Sequence, residues 1–451
     1  MTARGVIKEH VVIDGIDADG FPIANTPEGT IVVPKAVPND LVSLKVKRVG
    51  HKHQKLFNGI IHELIAPSEI RKTADCVHFE WCGGCDWLNM AYQDEIILKS
   101  NWLTNLFQHA VKVQPNLLAK RNKVHFTTSN RRWFAPYEIA NPNAIKRPAA
   151  GYAVAGKHDH ILEINECKVV DSLTLTLLQS VRDYCIQNKI PFYDMHSGKG
   201  FLRGVTLRTD DEGMHAILVI SAWHDQWCND LVQLLNATQR LHSLSIQCLG
   251  ANKKLRAMAP TMALFGNNVL NYTINGVAYK VPIDGFFQTN IQMAGTMFKH
   301  IAGLIKNTPD LTFDLYTGCG AIALQIAHLT KKIIGVETHE AAIKAATQNA
   351  QLNNIINTEF IASDMFAFLN DWSADVDLAI VDPPRAGLYF PVLQKLQLLK
   401  PKQIIYVSCN PVTLKRDLSI LQNLYDINSM AAFDMFPHTR HVETVVSLLI
   451  K

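Results

Sequence analysis

Two stretches decide the fold: Leu378-Ala379-Ile380-Val381-Asp382-Pro383-Pro384-Arg385 and Ile404-Ile405-Tyr406-Val407-Ser408-Cys409-Asn410-Pro411. Each begins with four apolar residues, too short for a helix, and reads as a strand buried on both faces of a parallel sheet. Each ends in polar residues at the carboxyl end of its strand, the edge at which open α/β sheets bind ligands. A thiol delivered there, Cys409, is expected to act as a nucleophile rather than as packing.

Working outward, further strands are expected at Leu311–Leu315, Ile333–Val336, Thr358–Ala362 and Val445–Ile450, with helices at Ala321–Leu329, Glu340–Leu352, Pro391–Leu399 and Thr413–Leu421. This alternation predicts an α/β, doubly wound, Rossmann-like domain over residues 276–451. Residues 1–68 carry short β-like runs (Val11–Ile13, Thr30–Pro34, Leu41–Val46) between the turns Asp17-Ala18-Asp19-Gly20 and Pro38-Asn39-Asp40, and predict a small OB-like barrel. Residues 69–275 are less regular and read as a central α+β domain.

The chain has 451 residues, too many for one core, and its mean hydropathy of +0.03 is that of an ordinary globular protein. Met1–His10 has no long apolar segment, so no secretory leader is expected, and no run is long enough to span a membrane. Nine cysteines, an odd number, favour a reducing cytoplasm over a disulfide framework. The net charge of +4 says less than its distribution. Lys45, Lys47, Arg48, Lys52 and Lys55, with His51 and His53, form either a solvated strand edge or a phosphate-tracking groove. Between Lys120 and Arg147 seven basic residues face the single acid Glu138, with Trp133, Phe134 and Tyr137 interleaved. That mixture suits unpaired RNA, whose phosphates need cations and whose bases stack on aromatic faces; an exposed hairpin is the plainer alternative.

Asp314-Leu315-Tyr316-Thr317-Gly318-Cys319-Gly320-Ala321 follows a strand and opens a helix, letting a cofactor approach the backbone. Glu337, at the end of the next strand, can accept hydrogen bonds from ribose hydroxyls. A nicotinamide cofactor and S-adenosylmethionine both fit this much. The strand-end cysteine separates them. Carbon 5 of uracil is a poor nucleophile until a thiolate adds at carbon 6; the resulting enolate can take a methyl group, and a base must then remove the carbon-5 proton. Cys409 suits the nucleophile; a free thiol is only a few per cent ionised at neutral pH, so local activation would help. In His438-Thr439-Arg440-His441-Val442-Glu443-Thr444, Glu443 is the expected base and His441 its rival.

With Asp382-Pro383-Pro384-Arg385-Ala386-Gly387, Ser408-Cys409-Asn410-Pro411 and His441-x-Glu443 together, the chain resembles the RNA uridine-5-methyltransferases that carry an N-terminal TRAM domain, in particular their iron–sulfur branch acting on 23S ribosomal RNA. The resemblance runs over nearly the whole chain. It implies Cys409 as nucleophile, Glu443 as base, and Gln288, Tyr316, Glu337, Asp364 and Asp382 as contacts to S-adenosylmethionine. It also implies an antiparallel last strand. Ala321 departs from the family's usual Asn or Thr and is left out of the set.

Cys76, Cys82, Cys85 and Cys167 remain. Their spacing alone leaves zinc, a [4Fe–4S] cluster and unligated thiols open; the resemblance implies the cluster, on these four residues. The Cys-x3-Cys-x2-Cys spacing of radical enzymes is absent, so a structural or RNA-positioning role is expected. The same chemistry on the T-loop uridine of transfer RNA is the alternative substrate, and a non-catalytic RNA-binding factor is the alternative class.

Overall fold

The computed structural model describes residues 6–49, 56–116, 120–139, 146–238, 241–250 and 259–451. His51, Lys52, His53 and Lys55, and the side chains of Arg48 and Tyr137, lie outside the described residues. The chain packs as two compact units, neither of them continuous. One comprises Met1–Glu80, Cys85–Leu117 and Ser373–Lys451, the other Trp81–Gly84 and Leu118–Trp372.

The first unit opens with a six-stranded sheet in the order Val6–Val12, Leu41–Val49, Leu56–Ala66, Gly29–Val32, Pro22–Thr26, Gly15–Ile16. All its pairings are antiparallel except Gly29–Val32 with Leu56–Ala66. Alternate side chains of these strands, among them Ala24, Ile31, Val42 and Leu44, form a fully buried core. The fully buried Asp40 accepts from the Val37 and Ser68 N–H groups and is paired with the Arg71 guanidinium at 2.6 Å, fastening the sheet to the segment that follows it.

The same unit holds Leu378–Val381 parallel to Gln403–Ser408, which pairs antiparallel with Glu443–Ile450, then Tyr425–Phe433, then the parallel Lys112–Gln114. Every residue of Leu378–Val381 and Gln403–Ser408 is buried, as their unbroken apolar runs require. The antiparallel final strand matches the expectation. Tyr425–Phe433 was not expected as a strand: Asp426, Asn428 and Ser429 interrupt its apolar pattern in the half that is only partly covered.

Helix Tyr92–Phe107 buries two charged side chains completely, Glu95 and Lys99. Lys99 Nζ lies 2.7 Å from Glu95 and 2.8 Å from the equally buried Asp434, whose other oxygen accepts from Tyr92 OH. One cation thus ties this helix to the residue that follows Tyr425–Phe433.

In the second unit a seven-stranded sheet runs Lys157–Glu163, Ala149–Val154, Lys123–Ser129, Leu202–Thr209, Met214–Ile220, Leu241–Cys248, Thr261–Phe265. Its parallel pair, Met214–Ile220 with Leu241–Cys248, encloses the crossover helix Asp225–Asn236. The hairpin Val269–Ile274/Val277–Pro282 follows. Three parallel strands come next, Leu311–Leu315, Lys332–Glu337 and Thr358–Ala362, interleaved with helices Ala321–Ile326 and Glu340–Leu352. The expected helix at Ala321–Leu329 ends as a 3-10 turn over Ala327–Leu329. Helices Ile291–Leu304 and Met365–Asp371 complete the α/β alternation.

The basic stretch 120–147 is less available than its composition implied. Arg132 and Arg147, with Arg182, converge on the buried Glu163, an acid distant in sequence, and Arg132 also pairs with Glu138. Phe134 lies against the Arg132 guanidinium and Trp133 packs on Trp81. Arg131 and Lys146 are the exposed cations of this segment, beside Lys120 with its exposed partner Asp171. No helix among the described residues is long and apolar enough to cross a membrane.

Breaking the Lys99 triad tests its structural role. Lys99→Met leaves two buried carboxylates without their cation and is expected to destabilise by about 3–5 kcal/mol, read as a lower guanidinium midpoint. An unchanged midpoint would show that the triad does not hold the unit together.

Candidate active site

Cys409 occupies the turn between strand Gln403–Ser408 and helix Pro411–Leu421. The turn is fixed locally. Asn410 caps the helix by accepting from the Val412 N–H at 3.1 Å, and Pro411 supplies a first helical residue whose missing N–H costs nothing there. Asn410 Nδ2 also donates to the Arg385 carbonyl at 2.9 Å, as does Thr413 Oγ1 at 3.2 Å. The Asp382–Gly387 loop is latched further by the fully buried Asp417, which accepts from the Leu388 N–H and from Tyr406 OH. Gly387 has φ +75°, and a Cβ there would stand 2.6 Å from the Arg416 guanidinium. Only glycine suits that position.

Strand register supplies the partner. Ser408 pairs with Thr444 at the end of the ladder, so Cys409, one residue past its strand, and Glu443, the first residue of the other, are brought close enough for their charges to interact. Glu443 is only 7% exposed and Cys409 is half-buried. Burial, reinforced by the negative charge of Asp382, raises the Glu443 carboxyl well above the usual carboxylate range, and the Arg385 guanidinium partly offsets this. Burial, with Glu443 and Asp382 nearby, pushes the Cys409 thiol up to about 12, again against Arg385. Burial first, and then two carboxylates set against one guanidinium, favour the protonated thiol.

Cys409 opens into a cleft whose other walls include Arg385, Asn410, Arg440, His441, Trp102 and the Ala18–Phe21 turn of the N-terminal sheet. Arg385 donates to His441 Nδ1 at 3.5 Å, and His441 packs edge-on against Phe436. The loop before Glu443 is anchored at His438, which has φ +65°. Its N–H donates to Glu95 at 2.8 Å and its carbonyl accepts from the Asp86 and Trp87 N–H groups. Arg385 and Arg440 lie inside motifs legible in the sequence but were not assigned a role; Phe21 and Trp102 carried no local signal.

Of the expected cofactor contacts, Asp382 lies with Cys409 and Glu443, whereas Gln288, Tyr316, Glu337 and Asp364 belong to the second unit. There the Asp314–Ala321 loop turns through positive φ at Tyr316, Gly318 and Gly320, and a Cβ at Gly318 would meet nothing within 4 Å. Asp314 is fully buried; burial raises it to about 6 despite hydrogen bonds from Thr317 and Ala323, and its Oδ1 has no partner. Glu337 Oε1 accepts three hydrogen bonds from Thr338 and His339, fixing the carboxylate at its strand end. Asp364 caps helix Met365–Asp371 through the Phe366 and Ala367 N–H groups. Gln288 is buried, with its carbonyl held by Asn122 at 3.0 Å. Open backbone beside the glycines and a fixed acceptor at Glu337 fit a nucleoside-containing cofactor.

Cys76 and Cys85 fall in the first unit, Cys82 and Cys167 in the second. The Gly84 N–H donates to Cys82 Sγ at 3.3 Å, and the Gly83 N–H to the Ala153 carbonyl. Among the described residues no group of three or more His, Cys, Asp or Glu side chains is arranged to hold a metal ion, so the expected four-cysteine ligand set is not assembled.

Residues 205–451 match the family model described as tRNA (Uracil-5-)-methyltransferase. An uncharacterized RNA methyltransferase of Bacteroides thetaiotaomicron is 32% identical, the match covering 96% of this chain and 100% of the relative. The tRNA (uracil(54)-C(5))-methyltransferase of Pyrococcus horikoshii is 27% identical, over 99% of this chain and 100% of its own. The crystal structure of the Pyrococcus abyssi tRNA (uracil-54, C5)-methyltransferase, in complex with S-adenosyl-L-homocysteine, superposes with a TM-score of 0.75 at 25% identity, covering 98% of this chain and 100% of that one. The α/β methyltransferase fold is thereby shared.

The electrostatics of the cleft are open to direct measurement. Arg385 favours both the thiolate and the carboxylate, so Arg385→Gln is expected to shift the alkylation profile of Cys409 to higher pH. Mass spectrometry of the iodoacetamide-modified peptide across pH 7–10 reads the shift; an identical profile would remove Arg385 as a counter-charge.

Proposed function

The chain belongs to the tRNA (uracil-5-)-methyltransferase family, and on that premise we propose that Cys409 and Glu443 are its nucleophile and base. The activity itself is S-adenosylmethionine-dependent methylation of uracil carbon 5 in RNA. The observation that carries the residue assignment is the strand register that sets Cys409 against Glu443, with Asp382 and Arg385 acting on both.

On this reading the thiol of Cys409 gives its proton to solvent and its sulfur bonds to carbon 6. The carbon 5–carbon 6 electron pair moves onto carbon 5 and the neighbouring carbonyl. S-adenosylmethionine supplies the methyl group as an electrophile, and Gln288, Tyr316, Glu337, Asp364 and Asp382 are proposed to hold it. Glu443 then removes the proton from the methylated carbon 5, the double bond re-forms, and the sulfur leaves as thiolate. A carboxylate with raised proton affinity is the stronger base for that step. A thiol kept protonated until RNA fills the cleft is protected from oxidation and alkylation. The target base would be unstacked first, since a helix hides carbon 6.

For the RNA, the proposal is a uridine of 23S ribosomal RNA, supported by the cysteine pattern that the chain shares with that branch of the family. Transfer RNA is the second reading, favoured by full-length similarity to two archaeal enzymes named for uracil 54 of tRNA. Methylation of either RNA in the cytoplasm calls for the same residues.

We also propose Cys76, Cys82, Cys85 and Cys167 as ligands of a [4Fe–4S] cluster, although the described residues do not assemble a metal group. Support comes from the resemblance to the iron–sulfur branch and from the Gly84 N–H aimed at Cys82 sulfur, a bond that stabilises a thiolate ligand. No step of methylation runs through it.

Cys409→Ala is expected to abolish methyl transfer while leaving RNA binding nearly intact, and Glu443→Gln to accumulate a covalent protein–RNA species on denaturing gels. Transcripts of 23S ribosomal RNA and of tRNA, assayed in parallel with labelled methyl donor, decide the substrate. Full activity of Cys409→Ala would sink the covalent route, and absence of the adduct would remove Glu443 as the base. Protein purified without oxygen is expected to contain iron and sulfide that Cys82→Ser loses; protein without either has no cluster.

A further inference from the structure

The cleft beside Cys409 has a wall that the chemistry above does not use. The turn Asp17–Phe21, from the N-terminal sheet, is folded on itself by the Asp17 carboxylate, which accepts from the Asp19 and Phe21 N–H groups at 2.9 and 2.8 Å. Its last residue meets Arg440: the guanidinium lies 3.9 Å from the centroid of the Phe21 ring. The same guanidinium donates to the Asp86 carboxylate at 3.0 Å, and both of those side chains are largely covered, at 22% and 25% exposure. Gly20 makes the approach possible. It has φ +84°, and a Cβ there would stand 2.9 Å from Arg440 Cβ and 3.3 Å from the tip of Trp102. A side chain at position 20 would push Arg440 away.

Arg440 stands three residues before Glu443, in a loop without regular secondary structure. Upstream the loop is pinned at His438; between His438 and the strand, Arg440 is the side chain that ties it to other segments through both a charge and an aromatic face. We propose that Arg440 is a positioning residue for Glu443. Gripped by Phe21 and Asp86, it sets the approach of the loop to strand Glu443–Ile450 and makes the N-terminal turn part of the catalytic cleft. The N-terminal sheet is then more than an attached RNA-binding module: movement of its turn is felt at the base. A planar guanidinium is needed, because it can stack and pair at once, which an ammonium cannot do with the same geometry.

This inference rests on Cys409 as nucleophile and Glu443 as base, and its test separates the two. Methyl transfer and adduct formation are measured on the RNA that the wild-type chain methylates, with Arg440→Ala, Arg440→Lys, Phe21→Leu, Asp86→Asn and the double variant Phe21→Leu/Arg440→Ala. A displaced base costs on the order of 10- to 100-fold in kcat. Arg440→Ala and Phe21→Leu are expected to show such a loss with KM for RNA little changed, and to accumulate the covalent species as Glu443→Gln does. Lysine at position 440 should not restore the rate. The double variant should be no slower than Arg440→Ala alone, since both remove one clamp. Thermal midpoints exclude simple unfolding, and Asp86→Asn loosens the clamp from its other side should Phe21→Leu fold poorly. A loss carried in KM, rescued by lysine and absent from both Phe21→Leu and Asp86→Asn, would mean that Arg440 contacts RNA phosphate directly and overturns the clamp. If Cys409→Ala methylates as fast as wild type, the underlying reading falls and the clamp with it.

Discussion

Antiparallel pairing of Glu443–Ile450 with Gln403–Ser408 is the constraint on which the rest of the first unit depends. Side chains alternate faces along a strand, so a slip of one residue would turn Glu443 to the opposite face, away from Cys409, and misalign the side chains packed on both faces. The register is held from both sides. Val445, Val446 and Leu448 are fully buried on one strand, Ile404, Ile405 and Val407 on the other. Burying such side chains is worth roughly 1.5–3 kcal/mol each. The placement of Cys409 beside Glu443 is therefore set by the hydrophobic core of the sheet.

Around that ladder, buried polar groups do what apolar packing cannot. Asp417 gathers a loop N–H and a tyrosine hydroxyl, Lys99 joins two carboxylates, and Glu95 accepts the N–H of His438. Hydrophobic contacts are non-directional and would leave irregular loops several ways to lie. A buried carboxylate left without its donors is costly, so each network admits one arrangement of its loop. The two loops so fixed carry Arg385 and the approach to Glu443.

The cleft stores an electrostatic conflict. The Cys409 thiol at its wall interacts with the carboxylates of Glu443 and Asp382 and with the Arg385 guanidinium, and burial penalises every negative charge. Burial and the shared negative charge both favour the protonated forms of Cys409 and Glu443. Such opposition between environment and ionised form is characteristic of reactive sites, where proton affinity is tuned rather than minimised.

The sequence by itself determined several strands of the α/β region and their ends. Leu311–Leu315, Thr358–Ala362 and Leu378–Val381 fall at the expected residues, because a short apolar run bounded by turn residues has one good solution. It likewise determined that Cys409 and Glu443 sit at strand termini, since both flank such runs. Helix Met365–Asp371 escaped notice because its seven residues are too few to show a period, and Tyr425–Phe433 because polar residues interrupt it. Only the tertiary structure decided which distant groups share a neighbourhood. Phe21 on Arg440, Glu95 on His438 and Glu163 among three arginines each join residues far apart in the chain. Local patterns report what a residue's near neighbours along the chain allow, whereas proton affinity is set by burial and by charges that only folding brings close.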